Sequence, residues 1–459
     1  MVFASFVFLC WFLPLFLPVY AALPAGWRNL WLTAGSFVFY GWWRPHYVLL
    51  MLGSTLLDYW AARAMGPVDS GRRRRMWLWL SVLTNLGLLG WFKYANLFAA
   101  TWNDLAPWPL AWQEVLLPVG ISFFTFQSMS YTIDVYRGDV RPVRSLLDLL
   151  CFVSMFPQLV AGPIVRYRDI ESSLRERVVT FLMVSDGVLL FALGFVKKVL
   201  IADRVAPLVA AVFDGAAPGA LDAWLGALGY TVQIYFDFSG YSDMAIGLGL
   251  MLGFRFPSNF AAPYRAHSIT EFWRRWHISL STWLRDYLYV PLGGNRHGER
   301  RTYANLAATM LLGGLWHGAQ WTFLLWGAWQ GLFLCLERRL GRRAPYGRLP
   351  WPAQIACTFV VVVFGWVVFR AGSVAELWSV WRGMLGMAGA GAWPALGDQA
   401  PLAYGALGLG LAIAFGAPRS EVLVVRCQPV VMALVLAAFV LALAQLLASD
   451  FVPFLYFRF

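Results

Sequence analysis

The chain has 459 residues, of which 60% are apolar and 13% charged, about half the charged share of an ordinary soluble domain. No single soluble core hides that much apolar surface, so composition excludes a soluble enzyme, a disordered chain, a coiled coil and a small disulfide scaffold. It points to an all-α, polytopic integral membrane protein; a β-barrel is disfavoured because barrel strands alternate apolar and polar over about 10 residues. The 36 basic and 24 acidic residues leave a net charge of +12. In a soluble protein that would suggest nucleic acid, but here the basic residues cluster in short loops between apolar runs, as cytoplasmic loops do. The partner predicted by charge is a lipid bilayer, not nucleic acid.

In chain order, Met1–Trp27 is the first uncharged run. It lacks a basic leader and a small-residue cleavage site, so Met1–Ala22 is expected to stay as a helix. Asn29–Leu57 follows, interrupted by Arg44, and then Arg72–Arg75, the densest basic cluster, expected in the cytoplasm. Met76–Phe92 is the next span. Val115–Ile133 carries Pro118 and Gly120, and Leu149–Val165 carries Pro157, Gly162 and Pro163. Both are expected to be broken or re-entrant. Val184–Leu200 ends on Lys197 and Lys198. Ala223–Phe254 holds Asp237 and Asp243 in its middle, where carboxylates mark a functional site, cap a helix or pair with an arginine such as Arg265 or Arg274. Tyr303–Leu336, Leu349–Phe369, Gln399–Pro418 and Cys427–Ser449 complete roughly 10 to 13 membrane segments. There is no internal repeat and no loop long enough for a soluble domain, so 1–459 reads as one membrane domain. The five cysteines (Cys10, Cys151, Cys335, Cys357, Cys427) form no CxxC pair, and neither a metal site nor a disulfide framework is predicted.

Three regions combine polar residues, glycines and prolines at membrane depth and carry candidate chemistry: Phe156–Ile164, which is either a kinked packing helix or lines a polar cavity, Gln233–Asp243, and Ser268–Gly331. Ser268-Ile269-Thr270-Glu271 fits a capping box and predicts a helix start. Trp273, Trp276, Leu280, Trp283, Leu284 and Tyr287 then recur at helical spacing as one stripe, with His277 at its edge and Arg274 on a neighbouring face. This reads as an interfacial helix, aromatics toward the membrane and arginines toward the cytoplasm. His277 is then either an amphipathic interface residue or a polar group at the mouth of a site. Tyr303–Leu336 spans 34 uncharged or titratable-poor residues. As one helix it would be about 50 Å long, so it should bend near Gly313-Gly314-Leu315-Trp316-His317-Gly318. On a single wheel Asn305, Thr309, Gly313, Gln320, Gly327 and Gly331 share one side, with His317 beside them, suiting close packing or a cavity wall. His317 is the only ionisable histidine in that run. Desolvation would keep it neutral, and a neutral imidazole can act as a general base toward a hydroxyl.

Long motifs in these regions carry a resemblance. Glu271-Phe272-Trp273-Arg274-Arg275-Trp276-His277-Ile278-Ser279-Leu280-Ser281, then Trp283 to Arg296 with Pro291-Leu292-Gly293-Gly294-Asn295-Arg296, then Gly313 to Gly318 resemble the membrane-bound O-acyltransferase family. They look most like its bacterial alginate O-acetyltransferase branch. Asp237 to Asp243, Pro157 to Ile164 and the terminal Pro453-Phe454-Leu455-Tyr456-Phe457 match as well. The resemblance implies broken helices around a central cavity, a catalytic His317 and a second important histidine at His277. It further implies an acetyl group taken from a cytoplasmic thioester such as acetyl-CoA, or from an acyl carrier. No cofactor is held and no metal is required. Arg274 and Arg275 would attract the donor's phosphates, and Asn305 and Gln320 would hydrogen-bond inside the cavity. The acceptor would be an extracytoplasmic polysaccharide, reached directly or through a partner acetyltransferase on the outer side of a bacterial inner membrane. Gln330 stands where many relatives have histidine, so no proton transfer is carried to it. The alternatives are the same chemistry on cellulose, peptidoglycan or another glycan, D-alanyl transfer, or, in a different class, a transporter. Transporters commonly show paired half-repeats, which this sequence lacks.

Overall fold

A computed structural model describes residues 1–66, 71–341, 346–425, 428–448 and 454–455. Cys427, Pro453, Tyr456 and Phe457, singled out above, lie outside the described residues. Among the described residues the regular structure is entirely helical, with no strand. The chain packs as two units, Met1–Phe191 with Met244–Pro257, and Ala192–Asp243 with Ser258–Phe459.

The first unit begins with α1 (Phe8–Ala22), α2 (Ala25–Gly41), α3 (His46–Ala64) and α4 (Gly71–Leu89). The arginine cluster opens α4 instead of forming a loop. Arg72, Arg73 and Arg75 are exposed, whereas Arg74 is buried and donates at 2.8 Å to the carbonyls of Gly66, Val135 and Tyr136. Two of those carbonyls belong to the last turn of α5 (Ile121–Arg137), where the negative end of the helix dipole attracts a cation. As expected, the Val115–Ile133 run is broken, with α5 starting only after Gly120. From Ile121 to Thr132 every residue of α5 is buried, which explains its hydroxyl-rich sequence: its polar groups face protein, not lipid. Leu149–Val165 is broken too. Helix α6 (Leu146–Ser154) stops at Met155, Phe156–Leu159 makes a single turn, and residues 160–166 turn and run without regular structure to the next helix.

The second unit contains the first part of α7 (Ala220–Met251), the short helices α8 (Ile269–Arg275) and α9 (Ile278–Leu284), the hairpin α10 (Gly298–His317) and α11 (Trp321–Arg339), then α12 (Trp351–Arg370), α13 (Gly397–Gly416) and α14 (Pro429–Ala448). Among the described residues, α12, α13 and α14 are long and apolar enough to cross a membrane uninterrupted. Helix α14 buries only Ala442, so its remaining apolar side chains face outward, where lipid removes them from water.

Asp237 and Asp243 are both paired, but with lysines and not with the expected arginines. Lys198 Nζ lies 2.6 Å from Asp237 Oδ1, and Lys197 Nζ 2.6 Å from Asp243 Oδ2. Arg265 instead donates to the carbonyl of Ala417. The reason is local: Lys197–Ala202 is a π-helical segment, and its widened turn brings two consecutive lysines toward α7.

The 34-residue run breaks where expected. Gly318 is extended and the chain reverses between α10 and α11. The single-wheel reading therefore fails, because its glycines lie on two antiparallel helices. A Cβ on Gly314 would stand 2.2 Å from the Phe323 carbonyl oxygen, and one on Gly327 would stand 2.4 Å from that of Met310. The small residues let two backbones touch.

Candidate active site

The predicted interfacial helix is two helices with a turn between them. Ser268 caps α8 by accepting from the Glu271 N–H, but Glu271 reaches back to the His267 N–H, one residue before the cap. Glu337 at the end of α11 supplies a second cap, accepting at 2.8 Å from the Thr270 N–H and at 2.6 Å from the Thr270 hydroxyl. Helix α8 ends at Arg275. His277 then takes φ 42° and ψ 54°, the left-handed region, before α9 begins. Such a conformation costs a non-glycine residue about 1–3 kcal/mol and persists only where its surroundings impose it. Two backbone bonds clip the turn: the Ala261 N–H donates to the Arg275 carbonyl at 2.9 Å, and the Ile278 N–H to the Asn259 carbonyl at 3.0 Å.

This turn overturns two expectations. The aromatic stripe packs inside the protein, not against lipid: Trp276, Leu280, Trp283, Leu284 and Tyr287 are all buried. His277 is not at an open mouth either; it is 0% exposed.

The turn and the α10–α11 hairpin bring the two histidines together. The His277 and His317 ring centroids are 6.2 Å apart, and His317 is also buried. Around His317 stand Trp316 at 5.0 Å, Trp326 at 5.1 Å and Phe369 at 5.2 Å, each edge-on. Phe238 of α7 sits edge-on to His277 at 4.6 Å. Trp366 stacks on Trp326 and approaches Trp276 at 4.7 Å. The result is a buried aromatic box holding two imidazoles, in which polar interactions are stronger than in bulk water.

The other candidates lie elsewhere. Asn305 is buried but donates to the Gly294 carbonyl at 2.9 Å, fixing the Pro291–Arg296 loop. Twelve residues of helix separate it from His317, about 18 Å at 1.5 Å per residue, so it does not share the box. Gln320 is exposed at the hairpin turn; the reversal that placed His317 inside turned Gln320 out. Arg274 is exposed, and Arg275 is engaged by Glu271. Gln330 accepts from Trp273 Nε1 at 3.2 Å, a packing role that needs no titration. Sequence reasoning missed Phe238, Trp326, Phe369 and Asn259. The aromatics carry no signal apart from hundreds of apolar neighbours, and Asn259 sits in an irregular loop with no periodicity to flag it.

Residues 78–377 match the membrane-bound O-acyltransferase family. The chain belongs to that family. It is therefore an enzyme, a membrane O-acyltransferase, and the reaction needs an acyl donor and a hydroxyl acceptor. The acyltransferase is 51% identical over 389 residues to "Probable alginate O-acetylase AlgI" of Pseudomonas aeruginosa, covering 84% of this chain and 75% of the relative. It is 36% identical over 418 residues to "Peptidoglycan O-acetyltransferase" of Helicobacter pylori, covering 83% and 79%. To "Teichoic acid D-alanyltransferase" of Bacillus subtilis it is 28% identical over 272 residues, covering 55% and 68%. His277 and His317 both fall inside the matched span, as does the turn that joins α8 to α9.

Proposed function

We propose that this acyltransferase moves an acetyl group from a cytoplasmic thioester, acetyl-CoA or an acyl carrier, to an alginate-like polysaccharide outside a bacterial inner membrane that it crosses several times. The acetyl goes to the sugar directly or through a partner acetyltransferase on the outer side. The observation that carries the reading is the buried His277–His317 pair in its aromatic box, on a chain about half identical to proteins named as alginate O-acetylases. The family match draws on residues of both units, which supports treating 1–459 as one catalytic domain.

In this reading His317 takes the proton of the acceptor hydroxyl as its oxygen attacks the thioester carbonyl. A C–O bond forms, the C–S bond breaks, and the proton passes from imidazole to the departing thiolate. A base so placed contributes about 10²–10⁴-fold, and burial of the pair among aromatic rings restricts the access of bulk water. Arg274, exposed near this turn, would attract the donor's phosphates.

The test is complementation of an alginate-producing bacterium that lacks its own acetylase. Acetylated alginate together with acetyl-CoA consumption by membrane vesicles is the expected result. Polymer export without donor consumption would mean a transporter, and acetyl or D-alanyl groups on another glycan alone would move the acceptor.

A further inference from the structure

One side chain decides which nitrogen of His277 carries its hydrogen. Asn259 is fully buried. Its Oδ1 lies 3.2 Å from the Ser279 backbone N, 2.9 Å from Ser279 Oγ and 3.2 Å from His277 Nδ1. A backbone N–H can only donate, so the amide atom facing it is the oxygen, and the usual ambiguity of an asparagine is removed. The amide nitrogen points the other way and donates to Ser242 Oγ at 3.0 Å. His277 Nδ1 faces an acceptor and must therefore bear the hydrogen. Nε2 is left as a bare lone pair, buried and with no hydrogen-bond partner among the described residues. The Asn259 carbonyl also holds Ile278, on the far side of the left-handed turn. One residue thus fixes both the strained backbone of His277 and its tautomer.

We infer that Asn259 is the positioning residue that presents His277 Nε2, as a hydrogen-bond acceptor, to the groups reacting beside His317. This rests on the acyl-transfer reading of the histidine pair. The other tautomer would offer an N–H at that point and leave a lone pair opposing the Asn259 oxygen. Only the neutral Nδ1–H form accepts there, so His277 must stay unprotonated during turnover.

The experiment uses membrane vesicles carrying the full chain and follows thiol release from acetyl-CoA against pH. Asn259→Asp keeps the accepting oxygen, and the Ser242 hydroxyl can rotate to donate to the second one. Its negative charge beside the Nδ1–H favours the imidazolium. The acid limb of kcat/KM should then move up by about one pH unit or more, with the alkaline plateau largely kept. If the protonation state of His277 plays no part in the reaction, the profile stays in place. Ser242→Ala, which leaves Oδ1 untouched, should keep the wild-type profile. Should Asn259→Asp not accumulate in the membrane, Ser279→Ala removes one of the two Ser279 donors that hold Oδ1 against His277 and should lower kcat severalfold at unchanged donor KM. A wild-type enzyme whose profile superimposes on that of Asn259→Asp, or a Ser279→Ala enzyme with unchanged kcat, overturns the role of Asn259. Wild-type vesicles that release no thiol at any pH overturn the acyl-transfer reading itself.

Discussion

Lys198 and Asp237 form an ion pair of 2.6 Å whose side chains are only 1% and 3% exposed. Lys198 also reaches Asp203 at 2.6 Å, and the second Asp237 oxygen accepts from the Leu455 N–H at 3.0 Å. The Phe454 ring lies 4.8 Å from the ammonium. The single lysine charge is shared by two carboxylates, so its loss leaves the buried Asp237 and the partly buried Asp203 without it. Breaking a buried pair by removing one partner costs about 3–5 kcal/mol. Lys198→Met is therefore expected to lower the thermal midpoint of the detergent-purified enzyme sharply. Asp237→Asn, which leaves Lys198 with Asp203, should cost distinctly less. Equal losses from the two would mean that the charges do not share one network.

The α10–α11 hairpin gives a second expectation. At Gly314 and Gly327 an added methyl meets backbone, which cannot rotate away, so overpacking of about 1–3 kcal/mol or more is expected at each. Gly314→Ala should reduce the amount of enzyme in the membrane, since the hairpin that places His317 would have to splay. Gly405→Ala is the control: nothing lies within 4 Å of its Cβ position, and alanine suits a helix better. Normal levels of Gly314→Ala would show that the two helices can separate without cost.

How far the sequence reveals this site depends on how local each signal is. The helix start at Ser268, the breaks at Met155 and Gly318, and the burial of polar α5 follow from caps, prolines, glycines and membrane depth, all readable in short windows. The kink at His277 is not, because nothing in Trp276-His277-Ile278 disfavours helix; the turn is imposed by Asn259 and Ala261 from another segment. An aromatic stripe at helical spacing looks the same whether lipid or protein covers it, and here protein does. The Asp237 and Asp243 partners were hidden for a related reason, since a π-helical turn re-aims Lys197 and Lys198 and leaves no sequence mark. Both histidines stand out by residue type and motif, but their 6.2 Å separation is a tertiary fact.

The two arginines before His277 separate into different roles. Arg275 is held by Glu271 and ties down the first turn of α8, while Arg274 is exposed and makes no ion pair among the described residues. Arg274→Gln should raise the KM for acetyl-CoA with little change in kcat. A charge-assisted contact is worth about 1.5–3 kcal/mol, which sets the rise at about tenfold or more. High salt should produce a similar rise in the wild type, because exposed charges are screened. An unchanged KM in a well-inserted Arg274→Gln enzyme would remove Arg274 from donor binding.

His317 carries the strongest expectation. It is buried between Trp316, Trp326 and Phe369, across from His277. His317→Ala should abolish polymer acetylation while the protein still reaches the membrane, since a general base supplies about 10²–10⁴-fold. Alanine also opens a cavity among the rings, and that alone could disturb Trp326 and Phe369. His317→Gln is the sharper variant. Glutamine fills much of the volume and can hydrogen-bond, but it cannot take up and release a proton near neutral pH. If His317 only packs or donates a hydrogen bond, the glutamine enzyme should keep substantial activity; if it is the base, the enzyme should be nearly as inactive as with alanine. His297→Ala sets the scale, because His297 is exposed and should tolerate the change. A His317→Gln enzyme that acetylates within a few-fold of wild type would falsify the assignment, and the proton would then have to go to the bare Nε2 of His277.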